Sequence, residues 1–444
     1  MTMMRIFKKI LIHFFLILYN PYILYFFYLR KKKSRTLLKS EQFKKLKKSL
    51  IYSYENIPFY KKCFDQHEFN PYVFSNQSQL EVLPILTKDI INDNIKMFKT
   101  IKPVYGCKVA TTGGSTGTPF AYRMSIKNRQ LGLAMLLQCW RLGGYNLGDS
   151  VVILAGGSLV ADKLATIQRL KNYLLNWYKF SSYGMDNSNL NDYYQKISHI
   201  KPIFLRGYPS AIFLFAKYLQ DNNLKVAFKL KAVFTTAEML FPKQRLLIEK
   251  VFNCSVFDGY GLNDGAINAA ECVNHNGFHI DSERGLMEVV DDQGIGIINK
   301  QGKILATTLE EKCMPLIRYD TGDLGVISDD YCPCGNEKLI LKTLEGRITD
   351  FLKINGKLIS SPVLTILMGK TSAMNYQIEQ MNDNKIIINM VYKDKAGIQS
   401  DQELITTSLK SKVGDFELAF NIVDQIVVLK GKKYKFIINH CLKV

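Results

Sequence analysis

Thr111-Thr112-Gly113-Gly114-Ser115-Thr116-Gly117-Thr118-Pro119 follows Val109-Ala110 directly and places three glycines among hydroxyl side chains. Glycines let backbone N–H groups come close to phosphate oxygens, and small hydroxyls add donors without bulk. No lysine closes the loop, so it differs from the common G-x-x-x-x-G-K-[ST] nucleotide loop. Taken alone, the segment reads equally as a surface turn.

Downstream, the strand-like runs Val151-Val152-Ile153-Leu154 and Ala232-Val233-Phe234-Thr235 alternate with helical patterns over 210–219 and 242–251. Such alternation predicts a layered α/β domain. Upstream, 41–54 has a helical rhythm in Phe43, Leu46, Leu50 and Ile51. Past Asp350 the pattern changes to a turn over 352–357, a strand over 385–392, a helix over 402–413 and a strand over 425–429. These lengths suit a small α+β domain. The expected division is therefore 1–33, 34–350 and 351–444.

Three further segments add to the loop. Phe257-Asp258-Gly259-Tyr260-Gly261-Leu262-Asn263-Asp264 sets an aromatic ring and carboxylates around a tight glycine turn, which suits adenine stacking and magnesium binding. In Arg318-Tyr319-Asp320-Thr321-Gly322-Asp323, a carboxylate can hold ribose hydroxyls and the arginine can neutralise phosphate. Gly346-Arg347-Ile348-Thr349-Asp350 brings another cation to the expected domain boundary. Each of these by itself is also compatible with a solvated turn.

Cys332 and Cys334, with Cys272 and either His279 or His275, offer the donors of a closed Cys3His zinc site; a turn of buried free thiols is the alternative. The nine cysteines lack the dense even spacing of a secreted scaffold, which predicts reduced thiols and a cytoplasmic protein.

The formal net charge of the 444-residue chain is +20, of which the first 50 residues carry +12. That charge sits beside the apolar run 10–29, flanked by Lys8-Lys9 and Arg30-Lys31-Lys32-Lys33, so it points to a membrane surface and away from nucleic acid. Asn20-Pro21 interrupts the run near its middle, which favours an interfacial helical hairpin or amphipathic anchor at the inner leaflet over a span. The competing expectation is that these aromatics pack on the protein's own surface.

In this order and spacing the motifs resemble the adenylate-forming ligase superfamily, and more closely its phenylacetate-CoA ligase-like branch that includes the CapK capsular-polysaccharide proteins. Asn56-Ile57-Pro58-Phe59-Tyr60, Met314-Pro315-Leu316-Ile317-Arg318-Tyr319 and Cys332-Pro333-Cys334-Gly335 carry the branch-specific wording. The resemblance implies a large N-terminal adenylation domain with a small mobile C-terminal domain turning about Asp350.

It also implies ATP-dependent activation of a carboxylic acid as acyl-AMP, then transfer to CoA. The alternatives are an adenylating transferase that passes an acyl or aminoacyl group to a sugar or amine in surface-polysaccharide assembly, and a weakly active nucleotide-binding scaffold. Carried over, Thr112, Gly113, Gly114, Ser115, Thr116, Gly117 and Thr118 would cradle ATP phosphates. Thr236, Ala237, Glu238, Asp258, Gly259, Tyr260 and Gly261 would line the adenine, with Tyr260 as the stacking ring. Asp323 would hold the ribose, Arg347 would contact phosphate or ribose, and Lys433 would enter the site during adenylation, with Lys432 and Lys435 as register alternatives. ATP, Mg2+ and CoA are the implied cofactors, and structural Zn2+ on Cys272, His279, Cys332 and Cys334 has parallels in the branch. Asn263-Asp264 departs from the family's Ser/Thr-Glu pair, leaving the magnesium carboxylate one methylene shorter.

Overall fold

In the computed structural model, residues 2–111, 121–155, 166–182, 185, 189–347, 352–355, 357–359, 364, 367–368, 370–392, 397–426 and 437–441 are described. A hairpin of β1 (Lys108–Thr111) and β2 (Ala121–Met124) precedes one large mixed sheet. That sheet contains β3 (Val151–Ala155), β4 (Trp177–Ser181), β5 (Phe204–Gly207), β6 (Ala232–Thr236), β7 (Ser255–Leu262), β8 (Ile267–Glu271) and β9 (Phe278–Ile280). It continues through β10 (Gly285–Val290), β11 (Gly302–Thr308), β12 (Tyr319–Ser328) and β13 (Ile340–Arg347). The strand order is β10-β11-β12-β13-β9-β8-β7-β6-β5-β3-β4.

Half of the sheet, β4-β3-β5-β6-β7, is parallel. Its inner strand β3 is buried on both faces, as a parallel strand covered by helices must be, and so it reads as an unbroken apolar run. Helices Ile126–Leu142, Pro209–Asp221 and Pro242–Phe252 contribute to its core. The other half is antiparallel and has its own core with Leu286, Ile304, Leu316 and Tyr319. At Gly207 the backbone of β3 comes so close that a Cβ would lie 2.3 Å from the Leu154 carbonyl oxygen.

The C-terminal part holds a hairpin of β14 (Leu352–Ile354) and β15 (Lys357–Ile359). Beyond it lies a four-stranded sheet of β16 (Asn375–Asn382), β17 (Lys385–Val391), β18 (Glu417–Ile422) and β19 (Ile437–Asn439), in the order β18-β17-β16-β19. With helix Ile398–Val413 it forms a separate core around Ile378, Ile388, Ile405 and Leu409. The strand expected over 425–429 falls largely outside the described residues; the strand found nearby is β18, several residues earlier.

The N-terminal segment breaks where Asn20-Pro21 predicts. Helix Thr2–Tyr19 ends there, a short helix Pro21–Leu24 begins with proline in its first turn, and a π-helical turn follows over Tyr25–Leu29. Asn20 donates to the Gln130 carbonyl at 2.9 Å, Gln130 donates back to the Tyr19 carbonyl at 2.6 Å, and Arg141 bonds the Phe27 carbonyl. Ile12, Leu16, Ile23, Phe26 and Phe27 are buried in the main core. The expectation that this segment packs on the protein itself therefore holds for one face. One face is core, while Ile10, Phe14, Ile17, Leu18, Tyr28 and Leu29 remain exposed. No described helix is long and apolar enough to cross a membrane.

Candidate adenylation site and cysteine-histidine cluster

β6 and β7 run side by side and deliver the adenine-side motif. The Thr235 hydroxyl donates to Asp258 Oδ1 at 2.6 Å, and Gly259 N–H reaches the same oxygen at 3.0 Å. Burial pushes the Asp258 carboxyl up to about 7, against the opposing pull of the Thr235 bond. Asp258 therefore braces two strands from within the sheet. At the end of β6, Ala237 takes φ +69°, and Glu238 accepts from Ser210 N–H at 3.1 Å, capping the helix Pro209–Asp221.

Tyr260, half-buried on β7, donates its hydroxyl to Asp323 Oδ2 at 2.7 Å. Asp323 lies on β12, opposite Arg347 of β13. Two motifs 63 residues apart are thus joined by one hydrogen bond. Tyr319, four residues before Asp323, donates to Asp264 Oδ2 at 3.1 Å, so the aspartate at the departed position is held by one oxygen.

Two residues with no motif around them hold this geometry. Buried Arg284 donates to Asn128 Oδ1 at 2.6 Å, to Asn268 Oδ1 at 3.0 Å and to the Asn263 carbonyl at 3.3 Å, fixing the turn that presents Asp264. Glu311 accepts from Ser125 N–H at 3.0 Å, from Asn128 Nδ2 at 2.7 Å and from Cys313 N–H at 2.7 Å. It thereby pins the start of helix Ile126–Leu142, which follows β2. On the other side of the hairpin, Cys107 is disulfide-bonded to Cys313 with Cα atoms 6.0 Å apart, which corrects the expectation of reduced thiols for this pair. Both flanks of the glycine-rich loop are thus tied to 311–313.

A second correction concerns Arg318. Its guanidinium is buried and bonds the carbonyls of Leu80 at 3.3 Å, Leu83 at 2.8 Å and Gly294 at 2.5 Å, with Glu288 3.8 Å away. Both terminal nitrogens are spent on scaffold carbonyls and the buried Nε faces Glu288, so the guanidinium is not a phosphate ligand. Thr112, Gly113, Gly114, Ser115, Thr116, Gly117, Thr118 and Lys433 lie outside the described residues, as does the side chain of Arg347.

Cys272, His279, Cys332 and Cys334 meet with their donor atoms all within 4.8 Å of one another. Cys272 and Cys332 sulfurs are 3.6 Å apart, and Cys334 Sγ is 3.3 Å from His279 Nε2. His279, on β9, is the histidine in this cluster; His275 instead lies 3.1 Å from Glu271 through Nδ1. Arg35 spans from helix Arg35–Asn56 to the Asp330 and Glu337 carbonyls and stacks on Tyr331, clamping the Cys332-Cys334 turn. Three thiols and one imidazole in this spacing suit tetrahedral zinc, whose bonds to sulfur are about 2.3 Å.

Residues 351–440 match the family model of the CapK C-terminal domain. The chain is 28% identical over 374 residues to Protein CapK of Staphylococcus aureus, covering 82% of this chain and 81% of that one. It is 25% identical over 334 residues to a phenylacetate-coenzyme A ligase of Aromatoleum evansii, covering 73% and 74%. Among solved structures, 2-hydroxyisobutyryl-CoA ligase in its postadenylation state with 2-HIB-AMP superposes with a TM-score of 0.75 at 19% identity, covering 93% and 94%. The resemblance carried by the motifs is borne out, and the fold is that of the adenylate-forming ligases.

Proposed function

Proceeding from a chain that shares the fold of the adenylate-forming ligases and the likeness to their CapK-type branch, we propose that it activates a carboxylic acid with ATP and passes the acyl group to CoA. The observation that supports this reading is the Tyr260–Asp323 hydrogen bond, which joins the ring expected to stack on adenine to the carboxylate expected to hold ribose, while Asp264 is bonded to Tyr319 of the same strand as Asp323. A carboxylate oxygen of the acid attacks the α-phosphorus, and the bond from phosphorus to the pyrophosphate oxygen breaks. The CoA thiolate then attacks the acyl carbon and AMP leaves.

Because the barrier to the first step is repulsion between anions, the remedy is cations and amide donors rather than a nucleophilic side chain. Lys433, Arg347 and the loop 112–118 supply them in this reading, and Asp264 would hold magnesium, which neutralises phosphate charge. Pyrophosphate release across a panel of carboxylic acids tests the proposal. Lys433→Ala should abolish that release and spare ATP binding; unchanged release removes Lys433 from its role. Absence of release with every acid, despite ATP binding, favours a nucleotide-binding scaffold.

A second acceptor, a sugar or amine, draws support from the match of residues 351–440 to the CapK C-terminal domain. Release that proceeds equally without CoA, with no thioester formed, favours it. Zinc on Cys272, His279, Cys332 and Cys334 is supported by their convergence; Cys272→Ser should remove about one equivalent of zinc by elemental analysis.

The exposed apolar face of helix Thr2–Tyr19, with Lys31 and Lys32 exposed nearby, supports peripheral attachment to an anionic inner leaflet. Deleting the segment would strip Ile12 and Leu16 from the core, so the informative change is Phe14→Ser with Leu18→Ser. Loss of pelleting with phosphatidylglycerol vesicles is expected; undiminished pelleting sinks the attachment.

A further inference from the structure

The parallel strands change direction of growth at β3: β4 is added on one side of it and β5 on the other. In open α/β sheets the crevice at such a point, outside the carboxyl ends of the strands, is where ligands bind. Lys179 of β4 and Arg206 of β5 are both in register with Ile153 of β3, so they share one face of the sheet on either side of that point.

The Arg206 guanidinium stacks 5.2 Å from the centroid of Trp140 on helix Ile126–Leu142. Lys171, from helix Thr166–Leu174, stands 5.8 Å from the ring of Trp177 at the start of β4. The two indoles are themselves 5.5 Å apart, so one aromatic floor carries cations from two elements, with Lys179 of β4 on the same face of the sheet. Among the described residues, no carboxylate lies within ion-pair distance of Lys171, Lys179 or Arg206. Arg245 and Arg30, by contrast, meet Glu271 and Glu283.

Burial lowers the Lys171 amine to about 8, with Lys179 and Lys108 adding to the effect, and burial together with Arg206 lowers Lys179. Half-buried like charges without a counter-charge are costly for a fold to keep. A ligand that brings negative charge removes that cost.

We infer that Lys171, Lys179 and Arg206 form a subsite for a second anionic group, a distal carboxylate or phosphate, on the carboxylic acid that the enzyme activates. This rests on the adenylation reading and adds to it a substrate class, an acid charged at both ends. The far anion docks over the Trp140–Trp177 floor while the near carboxylate is left for the α-phosphorus.

The test compares pyrophosphate release by the full-length protein with acids matched in length but ending in methyl, carboxylate or phosphate. Anion-ended acids should be preferred by at least about tenfold in kcat/KM, and the two anionic arms show which terminus is taken. Lys179→Met and Arg206→Met should each erase the preference and leave turnover of methyl-ended acids intact, whereas Lys179→Arg keeps it. Equal or better use of methyl-ended acids by the unaltered protein overturns the inference.

Failure of adenylation itself is read separately. The chain has two tryptophans, both in this floor, so their fluorescence reports occupancy without turnover. With no pyrophosphate released from any acid, a saturable response to glutarate that is lost in Lys179→Met upholds the subsite while adenylation falls. No response, or a response to pyrophosphate alone, refutes the subsite.

Discussion

The surroundings of Asp323 and the carboxyl ends of β3–β5 treat charge in opposite ways. Around Asp323, the nearby charged groups have partners: Tyr260 on Asp323, Tyr319 on Asp264, three asparagines around Arg284, and three carbonyls with Glu288 around Arg318. Around Arg206 the cations face aromatic rings and one another. Charges whose hydrogen-bonding capacity is spent inside the protein hold its shape. Charges held in place with no counter-ion among the described residues are available to a ligand.

Three substitutions probe that contrast. Arg318→Met should have the largest effect, since it leaves the Leu80, Leu83 and Gly294 carbonyls and Glu288 buried without their cation; a loss of about 3–5 kcal/mol in urea unfolding is expected. A loss below about 1 kcal/mol would mean Arg318 is not a scaffold residue.

Lys171→Met should do the reverse and stabilise the ligand-free protein by roughly 1–2 kcal/mol, because the depressed pKa of Lys171 reports a charge the fold disfavours. A lysine lowered from 10.5 to about 8 binds fewer protons when folded than when unfolded between those values. Stability of the unaltered protein therefore rises across that window, and the gain in the variant is full below about pH 8 and vanishes above about 10.5. Lys179 and Lys108 are the charged groups whose repulsion contributes. Melting curves at pH 7 and pH 10.5 check both sign and window.

The smallest effect belongs to Tyr260→Phe. It keeps the ring proposed to stack on adenine and removes one hydrogen bond to Asp323, worth about 0.5–1.5 kcal/mol, so KM for ATP should rise about threefold to tenfold with kcat little changed. A hundredfold fall in kcat would show that this hydroxyl acts in the chemistry.

What could be read in advance depended on how local each signal is. β3 announces itself because a buried parallel strand is apolar throughout, β6 opens on the apolar run Ala232-Val233-Phe234, and Tyr260, Asp264 and Asp323 stand inside short motifs. Arg284 and Glu311 had no such wording: their partners Asn128 and Ser125 lie 156 and 186 residues away. Lys179 and Arg206 meet only through the register of both strands with β3. Arg318 misled because an arginine next to a functional aspartate looks like a ligand until its neighbours Leu80, Leu83 and Gly294 are known. The choice between His275 and His279 needed the placement of β9, since both follow Cys272 closely.

The double tether of the β1–β2 hairpin to Glu311 and Cys313 also sets a timetable for biosynthesis. Residues 108–124 leave the ribosome nearly two hundred residues before the segment that secures them, so the hairpin must wait, unanchored, through synthesis of the whole parallel half. Contacts this distant in sequence form late because closing so long a stretch of chain costs entropy that earlier, nearer contacts must first offset. The β1–β2 hairpin is therefore expected to gain these two tethers after the β3–β5 floor has been synthesised.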